Sequence, residues 1–375
     1  MSGHMDLAPD DEQSAVAELA RTLAIEVLAP AAREAERSGA VPQSVWATVF
    51  ESGLAIAVPE SAGGGGVPGD LSRQVAVQNL ASGDAGIAMA AVWSGAAAGL
   101  IAEHGSEEQR KQLPSLASDA SLRTSVALYE GFGRSPREMA TTVRLEGDLV
   151  RVSGTKVGVP FARVADPLIV VGRDPRSGKL RAAVTSSAAE GVTVAPTRRG
   201  LALDAAQLGS VSFDAVLPAN ALLGGPSLDA AALTASLQRL RLLVASALLG
   251  TALRATEYAA KYAADRVAFG RPIGSFQGVS FPLAESLIRI EASRLQVADL
   301  VTSQGRLGEE SFDRAVSEAI AYASTVAVDA TRHAVQTLGG HGFMEDHPVE
   351  LWYRSASALA ALDFDPGCAA FEPAL

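Results

Sequence analysis

Two stretches of this sequence hold chemically capable side chains at telling spacings. Tyr262-x-x-x-Arg266-x-x-Phe269-Gly270-Arg271-Pro272-Ile273-x-x-Phe276-Gln277 sets a guanidinium, an aromatic ring and an amide at the corner between two helical runs. An arginine fork there suits a pyrophosphate, which it can grip with two parallel hydrogen bonds. It equally suits the last carbonyls of the preceding helix. Gln336-Thr337-Leu338-Gly339-Gly340-His341-Gly342-Phe343 follows later, trailed by Pro348 and Arg354. Three glycines in four positions let backbone approach a ligand closely, or simply cap a helix.

Other chemistries find no support. No G-x-G-x-x-G follows a strand, and neither a phosphate-loop G-x-x-x-x-G-K-[ST] nor a G-x-S-x-G elbow occurs. The five histidines form no H-E-x-x-H pair, and the single cysteine, Cys368, cannot build a thiolate zinc site. His333 and His341 read as a helix-face and a loop histidine rather than ligands. Ser153-Gly154-Thr155-Lys156 spells S-x-x-K, but in a hairpin region where that motif needs a helix start. Gly63–Gly66 reads as a flexible loop.

The elements that must carry these residues fall in three blocks. Up to about residue 120 the apolar spacing is helical, as in Ser14–Ala35 with a bend near Pro30, Val45–Ala57, and Leu71 through the Ala-rich run to Leu116. Ser106-Glu107-Glu108 opens one helix with acidic residues where the dipole favours them. Residues 121–225 hold six short β-branched runs: Thr124–Tyr129, Ala140–Val152, Leu168–Val171, Arg181–Thr185, Val192–Ala195 and Val211–Ala215. Glu146-Gly147-Asp148 is a hairpin turn between alternating stretches. From residue 226 to 375 three long helices are expected, Leu228–Asp265, Phe276–Gly305 and Ser311–Leu338, with Ser311 as an N-cap and Gly305 and Gly339 as stops. The expected fold is α+β and multidomain. It has an N-terminal α-helical domain (1–120), a middle antiparallel β-barrel or sandwich (121–225) and a C-terminal four-helix bundle (226–375).

Composition bounds the setting. With 48% hydrophobic and 19% charged residues the 375-residue chain is too apolar for disorder. Its longest uncharged run, Ala85–Ala102, reaches spanning length. That run is mostly Ala and Gly, and a buried helix is the reading adopted. A net charge of −11 with scattered Lys and Arg argues against a nucleic-acid footprint. One cysteine and no secretion signal fit a reducing cytoplasm.

Taken in order, these features resemble the acyl-CoA dehydrogenase family over essentially the whole chain. Further collinear matches are Val58-Pro59-Glu60, Gly105-Ser106-Glu107-Glu108-Gln109 leading to Leu113-Pro114, Gly154-x-Lys156, Ala165-Asp166, and Phe213-Asp214-x-Val216-x-Pro218 ending in Leu223-Gly224. The resemblance implies FAD between the β-domain and the bundle, with the acyl chain running into the bundle. A carboxylate takes the α-proton of an acyl thioester while the β-hydrogen leaves as hydride to the flavin. It makes Arg266, Phe269 and Gln277 FAD contacts, with Gln336, Gly339 and Gly340 on the same adenine and pyrophosphate half. These groups serve a neighbouring subunit's FAD, so a homo-oligomer, or a heteromer with a paralogue, is expected.

The flavin-ring half departs from the pattern. The family's T-E-P-G-x-G-S-D-like loop reads Tyr129-Glu130-Gly131-Phe132-Gly133-Arg134-Ser135-Pro136, and its K-x-W-[IV]-[ST] segment reads Lys156-Val157-Gly158-Val159-Pro160. The family's glutamate, nine residues beyond the arginine matched by Arg354, is Asp363 here, without the following Gly-Thr. A second location for the base aligns with Leu240, which cannot serve, and Arg241 beside it matches an active-site arginine. Three functions are therefore carried forward. The first is a dehydrogenase using Asp363, or an unrecognised base, with Arg241 in its catalytic site. The second is a non-catalytic subunit completing a paralogue's site. The third is a flavin-independent member catalysing a cyclisation or isomerisation of a polyketide-like substrate.

Overall fold

The computed structural model describes residues 10–54, 58, 66–67, 69–131, 139–195, 199–303 and 307–362. Asp363, Cys368 and most of the Gly63–Gly66 run lie outside them.

Helix α1 (Asp11–Leu23) opens on a capping box: Asp10 Oδ1 accepts from the Gln13 backbone N–H at 2.7 Å, and Gln13 reaches back. Five residues of π-helix, Ala24–Leu28, then lead into α2 (Ala29–Ser38), with Pro30 in its first turn. Proline has no N–H to continue the ladder, so the bend expected there appears as this local widening. After α3 (Gln43–Glu51) come α4 (Asp70–Ala81) and the Ala-rich α5 (Ala85–His104), then two short helices, α6 (Glu107–Arg110) and α7 (Leu113–Ser118). Ser106 and Gln109 form a second capping box at α6, with Glu107 and Glu108 in the first turn.

Seven strands follow: β1 (Ser125–Ala127), β2 (Thr142–Glu146), β3 (Leu149–Val159), β4 (Leu168–Arg173), β5 (Leu180–Thr185), β6 (Val192–Val194) and β7 (Gly209–Pro218). They form one sheet in the order β1-β4-β2-β3-β7-β6, with β5 on β4. The β2–β3 hairpin turns at Gly147, whose φ of 59° is left-handed. The sheet is not wholly antiparallel, because β4 pairs parallel with both β1 and β2. Long excursions separate these partners, which is what parallel neighbours require.

The C-terminal helices are α8 (Ala230–Asp265), a tight hairpin of β8 (Val267–Ala268) and β9 (Arg271–Pro272), then α9 (Gln277–Ser303), α10 (Glu309–Leu338) and α11 (Val349–Ala360). Gly308, not Ser311, precedes α10; Ser311 lies inside the first turn. Its backbone continues the helix, so the extended residue before it takes the cap. Gly339 does end α10, at φ 59°.

One apolar core joins α1–α5 to the bundle through Leu28, Leu80, Ile87, Leu248 and Ala319, among others. A second links α5 and α8 to the sheet through Leu100, Ile169, Val171 and Leu237. Where α4 crosses α8, Gly250 meets the Gln78 carbonyl with no room for a methyl group. Among the described residues two helices, α5 and α8, are long and apolar enough to cross a membrane, but 72% and 78% of those windows are buried.

Asp84 caps α5, accepting from the Ile87 N–H at 2.7 Å, and it is buried. Burial raises its carboxyl from 3.8 to about 6. The folded-state value lies above the unfolded one, so this group's contribution is present at low pH and lost as pH rises through about 6. Asp84→Asn keeps the acceptor and removes the charge. It is expected to exceed the wild-type chain by about 1–3 kcal/mol at neutral pH, the lower bound allowing for helix-dipole support of the anion. The gap closes towards pH 4, roughly the unfolded carboxyl's own range. Urea melts across that range test this; a gap constant with pH would clear Asp84 of the effect.

Candidate functional site

The helix corner is built by sequence-local geometry. α8 stops at Arg266, whose N–H bonds the Tyr262 carbonyl at 2.8 Å, and the Ile273 N–H returns to the Arg266 carbonyl at 2.8 Å. The intervening hairpin turns on Phe269 and Gly270, at φ 54° and 79°. A left-handed phenylalanine is unusual, and this one is 95% exposed. Its ring meets Phe276 edge-on at 6.2 Å, and Arg271 lies over the other ring at 4.1 Å. The Arg266 guanidinium is exposed and, among the described residues, makes no hydrogen bond or ion pair. It therefore does not cap the helix's carbonyls and is free to meet an anion.

The glycine-rich turn sits at the same end of the bundle. Residues Ala259, Ala263, Leu283, Val335 and Leu338 share one core with Trp352 there. Gly342 packs on the Val335 carbonyl, whereas Gly339 and Gly340 face open space. Tyr258 and Tyr262 bond His347 Nδ1 and His341 Nδ1 at 2.8 and 3.5 Å, and the two imidazoles stack at 5.6 Å. Arg266, Phe269, Gln277, Gln336, Gly339 and Gly340 thus stand exposed on one end of the bundle. A dinucleotide's adenosine and pyrophosphate fit such a face: a free guanidinium, an uncovered ring, two amides and bare backbone.

The Lys156–Pro160 segment runs out of the end of β3. A bulge interrupts β3–β7 pairing between Lys156 and Val159. Within it Gly158, at φ 62°, faces Leu362, whose Cδ2 would lie 2.7 Å from any Cβ added there. Leu362, from the chain's own C-terminal side, therefore packs on the bulge at Gly158. Asp363 is the next residue but lies outside the described ones.

Arg241 is buried in the seam between α8 and α10. It donates to Gln238 Oε1 at 2.8 Å and approaches Ser317 Oγ at 3.4 Å, while Gln238 donates to Asp313 at 3.1 Å. Its visible work is to join two helices. Arg354 lies in a four-charge network with Glu350, Glu36 and Arg33 that ties α11 to α2. Arg33 also donates to the carbonyls of Glu345 and His347 at 3.2 and 3.3 Å. Burial alone would raise the Glu36 carboxyl, but bonds and charge from Arg354 and Arg33 outweigh it and hold it below the usual range.

Sequence reasoning missed one pair. Lys156, fully buried on β3, donates to Glu130 Oε1 and to the Leu128 carbonyl, each at 2.9 Å. Glu130 also accepts the N–H groups of Ala140 and Thr141 at 2.7 and 2.8 Å. This clasp joins both ends of the altered loop after β1. Burial pushes the Lys156 ammonium down to about 8, with Glu130 opposing that shift. A lysine amid the alternation of β3 and a glutamate closing an apolar run were the signals. The S-x-x-K lettering lies on β3, a strand, where a nucleophilic serine motif has no helix to support it.

Comparison with known proteins follows this geometry. Residues 10–120 match the model of the acyl-CoA dehydrogenase N-terminal domain, and residues 230–363 that of the C-terminal domain. An acyl-CoA dehydrogenase of Bacillus subtilis is 32% identical over 355 residues, covering 92% of each chain. Butyryl-CoA dehydrogenase from Megasphaera elsdenii superposes with a TM-score of 0.84 at 27% identity over 97% of both chains. A glutaryl-CoA dehydrogenase from Mycobacterium smegmatis, in complex with FADH2, shares the fold at 21% identity and TM-score 0.83, covering 97% of this chain and 94% of that one. Both its terminal regions and its overall architecture make this chain a member of the acyl-CoA dehydrogenase family.

Proposed function

We propose that this chain is a flavoprotein of acyl-CoA dehydrogenase type, acting on an acyl thioester with FAD shared between two subunits. The observation that carries this is Phe269. An apolar ring held 95% exposed on a left-handed backbone is unfavourable in an isolated chain. A ligand or neighbouring subunit covering the ring removes the cost of exposure and supplies contacts that offset the backbone strain. Arg266 would pair with the pyrophosphate, Gln277 and Gln336 would bond the adenosine half, and Gly339 and Gly340 would let backbone approach. FAD, when bound, supplies the acceptor for the hydride leaving the β-carbon. Asp363 would take the α-proton, its segment positioned by Leu362 on Gly158, and Arg241 would fix α8 against α10 beside Leu240.

An exposed stripe supports the second subunit. Phe281, Ile288 and Leu295 recur every seven residues on α9 and are 61%, 70% and 37% exposed. Such a seam is buried when another helix covers it.

A second reading, the non-catalytic partner of a paralogue, is favoured by the Gly158–Leu362 contact. It leaves the donated half of the cofactor site intact and fills the chain's own ring half. The visible absorption spectrum, with and without added FAD and alongside the mass in solution, separates the readings. Stoichiometric flavin on a homo-oligomer is expected. A colourless chain that gains flavin when mixed with a paralogue supports the partner role. One that ignores flavin throughout leaves a non-redox reaction on the polyketide-like class.

A further inference from the structure

The loop between β6 and β7 folds against the end of α2 and the turn after β3, and leaves a cavity there. Its free space is about 310 Å³, the scale of a small organic ligand. The guanidinium groups of Arg163 and Arg199 and the amide of Gln207 line it, with Leu203 and Leu208 as apolar wall and Asp204 as the one carboxylate.

Donors here outnumber their partners. Arg199 spends Nη2 on the carbonyls of Glu36, at 2.8 Å, and Arg37, which end α2. Among the described residues its Nη1 and Nε bond nothing, and it makes no ion pair. The Gln207 side chain, half-buried, likewise has no hydrogen bond among the described residues. Asp204 turns Oδ1 to the Gly200 N–H at 2.9 Å.

The backbone adds a second observation. Leu203 and Gln207 flank the 3₁₀ turn Asp204–Ala206 at φ 66° and 52°, both left-handed. The turn is pinned by the Phe161 N–H, which donates to the Ala206 carbonyl at 3.0 Å. Glycine would suit position 207 better. What glutamine supplies in exchange is an unbonded amide in the cavity wall.

We propose that this cavity is a second binding site, taking a small phosphorylated compound with an apolar body. The phosphate receives N–H groups from Arg163, Arg199 and Gln207, and the body lies along Leu203 and Leu208. Two guanidinium charges facing one carboxylate favour a dianion over a monoanion, and a phosphate's three oxygens match three converging donor groups. The site shares no residue with the helix corner or the glycine-rich turn, so it does not depend on the flavin reading.

The test titrates phenyl phosphate and benzenesulfonate, a monoanion of similar shape, calorimetrically into the full chain at constant ionic strength. Phenyl phosphate is expected to bind at least tenfold tighter. Arg199→Gln should weaken it about tenfold and Arg266→Ala should leave it unchanged. Arg199 also holds the end of α2, so Gln207→Gly is the second variant. Its backbone relief and its added unfolded-state entropy oppose each other, so its melting temperature should stay near the wild type while binding falls severalfold. Absence of phenyl phosphate binding, equal binding of the two probes, or binding untouched in Gln207→Gly overturns the site. Binding abolished by Arg266→Ala overturns it too, by moving the phosphate to the helix corner.

Discussion

Gly250→Ala is expected to destabilise the chain by about 2–3 kcal/mol, although alanine is the better helix former by about 1 kcal/mol. The added methyl would stand 1.9 Å from the Gln78 carbonyl oxygen, and the obstacle is backbone, so no side-chain rotation relieves it. Either α4 and α8 separate, opening the core around Leu80 and Leu248, or α4 loses carbonyl geometry. Gly278→Ala provides the contrast. That residue lies in the first turn of α9 with nothing within 4 Å of the new methyl, so the change should be neutral or mildly stabilising. Urea unfolding of both variants decides the matter. Equal midpoints would mean that the helix crossing is looser than this contact implies.

The second large effect is on cofactor retention. Phe269→Gly removes the ring and frees a strained backbone position. Relief of about 1 kcal/mol from the left-handed conformation is offset by about 0.5–1 kcal/mol of added unfolded-state entropy. Stability of the flavin-free chain should therefore barely move. Flavin affinity should fall about tenfold, and Arg266→Ala should cost as much or more by removing the charged fork. Fluorescence titration of FAD against melting temperature separates the two readouts. A Phe269→Gly chain that melts early yet keeps its flavin would make the ring a structural fixture and withdraw the proposed cofactor face.

What could be read beforehand was what neighbours in sequence decide. Acidic residues after Ser106, the hairpin at Gly147 and the stop at Gly339 are local signals, and each appears in the molecule. The exposed cluster at the end of the bundle was legible too, since its residues sit where helices stop. Pairings between distant segments were not. The parallel partnership of β1 with β4 depends on which strands the sheet brings together, not on either strand's pattern. Lys156 and Glu130 are 26 residues apart and gain meaning only once β3 is buried. Leu362 meets Gly158 from 204 residues further along the chain, a contact that neither residue's neighbours in sequence announce.

The charge network between α2 and α11 bears on the order in which the molecule is made. Arg33 bonds carbonyls 312 and 314 residues further on, so a helix near the start waits for one near the end. During synthesis Glu36 and Arg33 have only each other while some three hundred residues emerge, and α11 has no seat until it leaves the ribosome. Closing so long a loop late places the segment leading to Asp363 among the last parts to settle. Loss of α2 would then loosen α11.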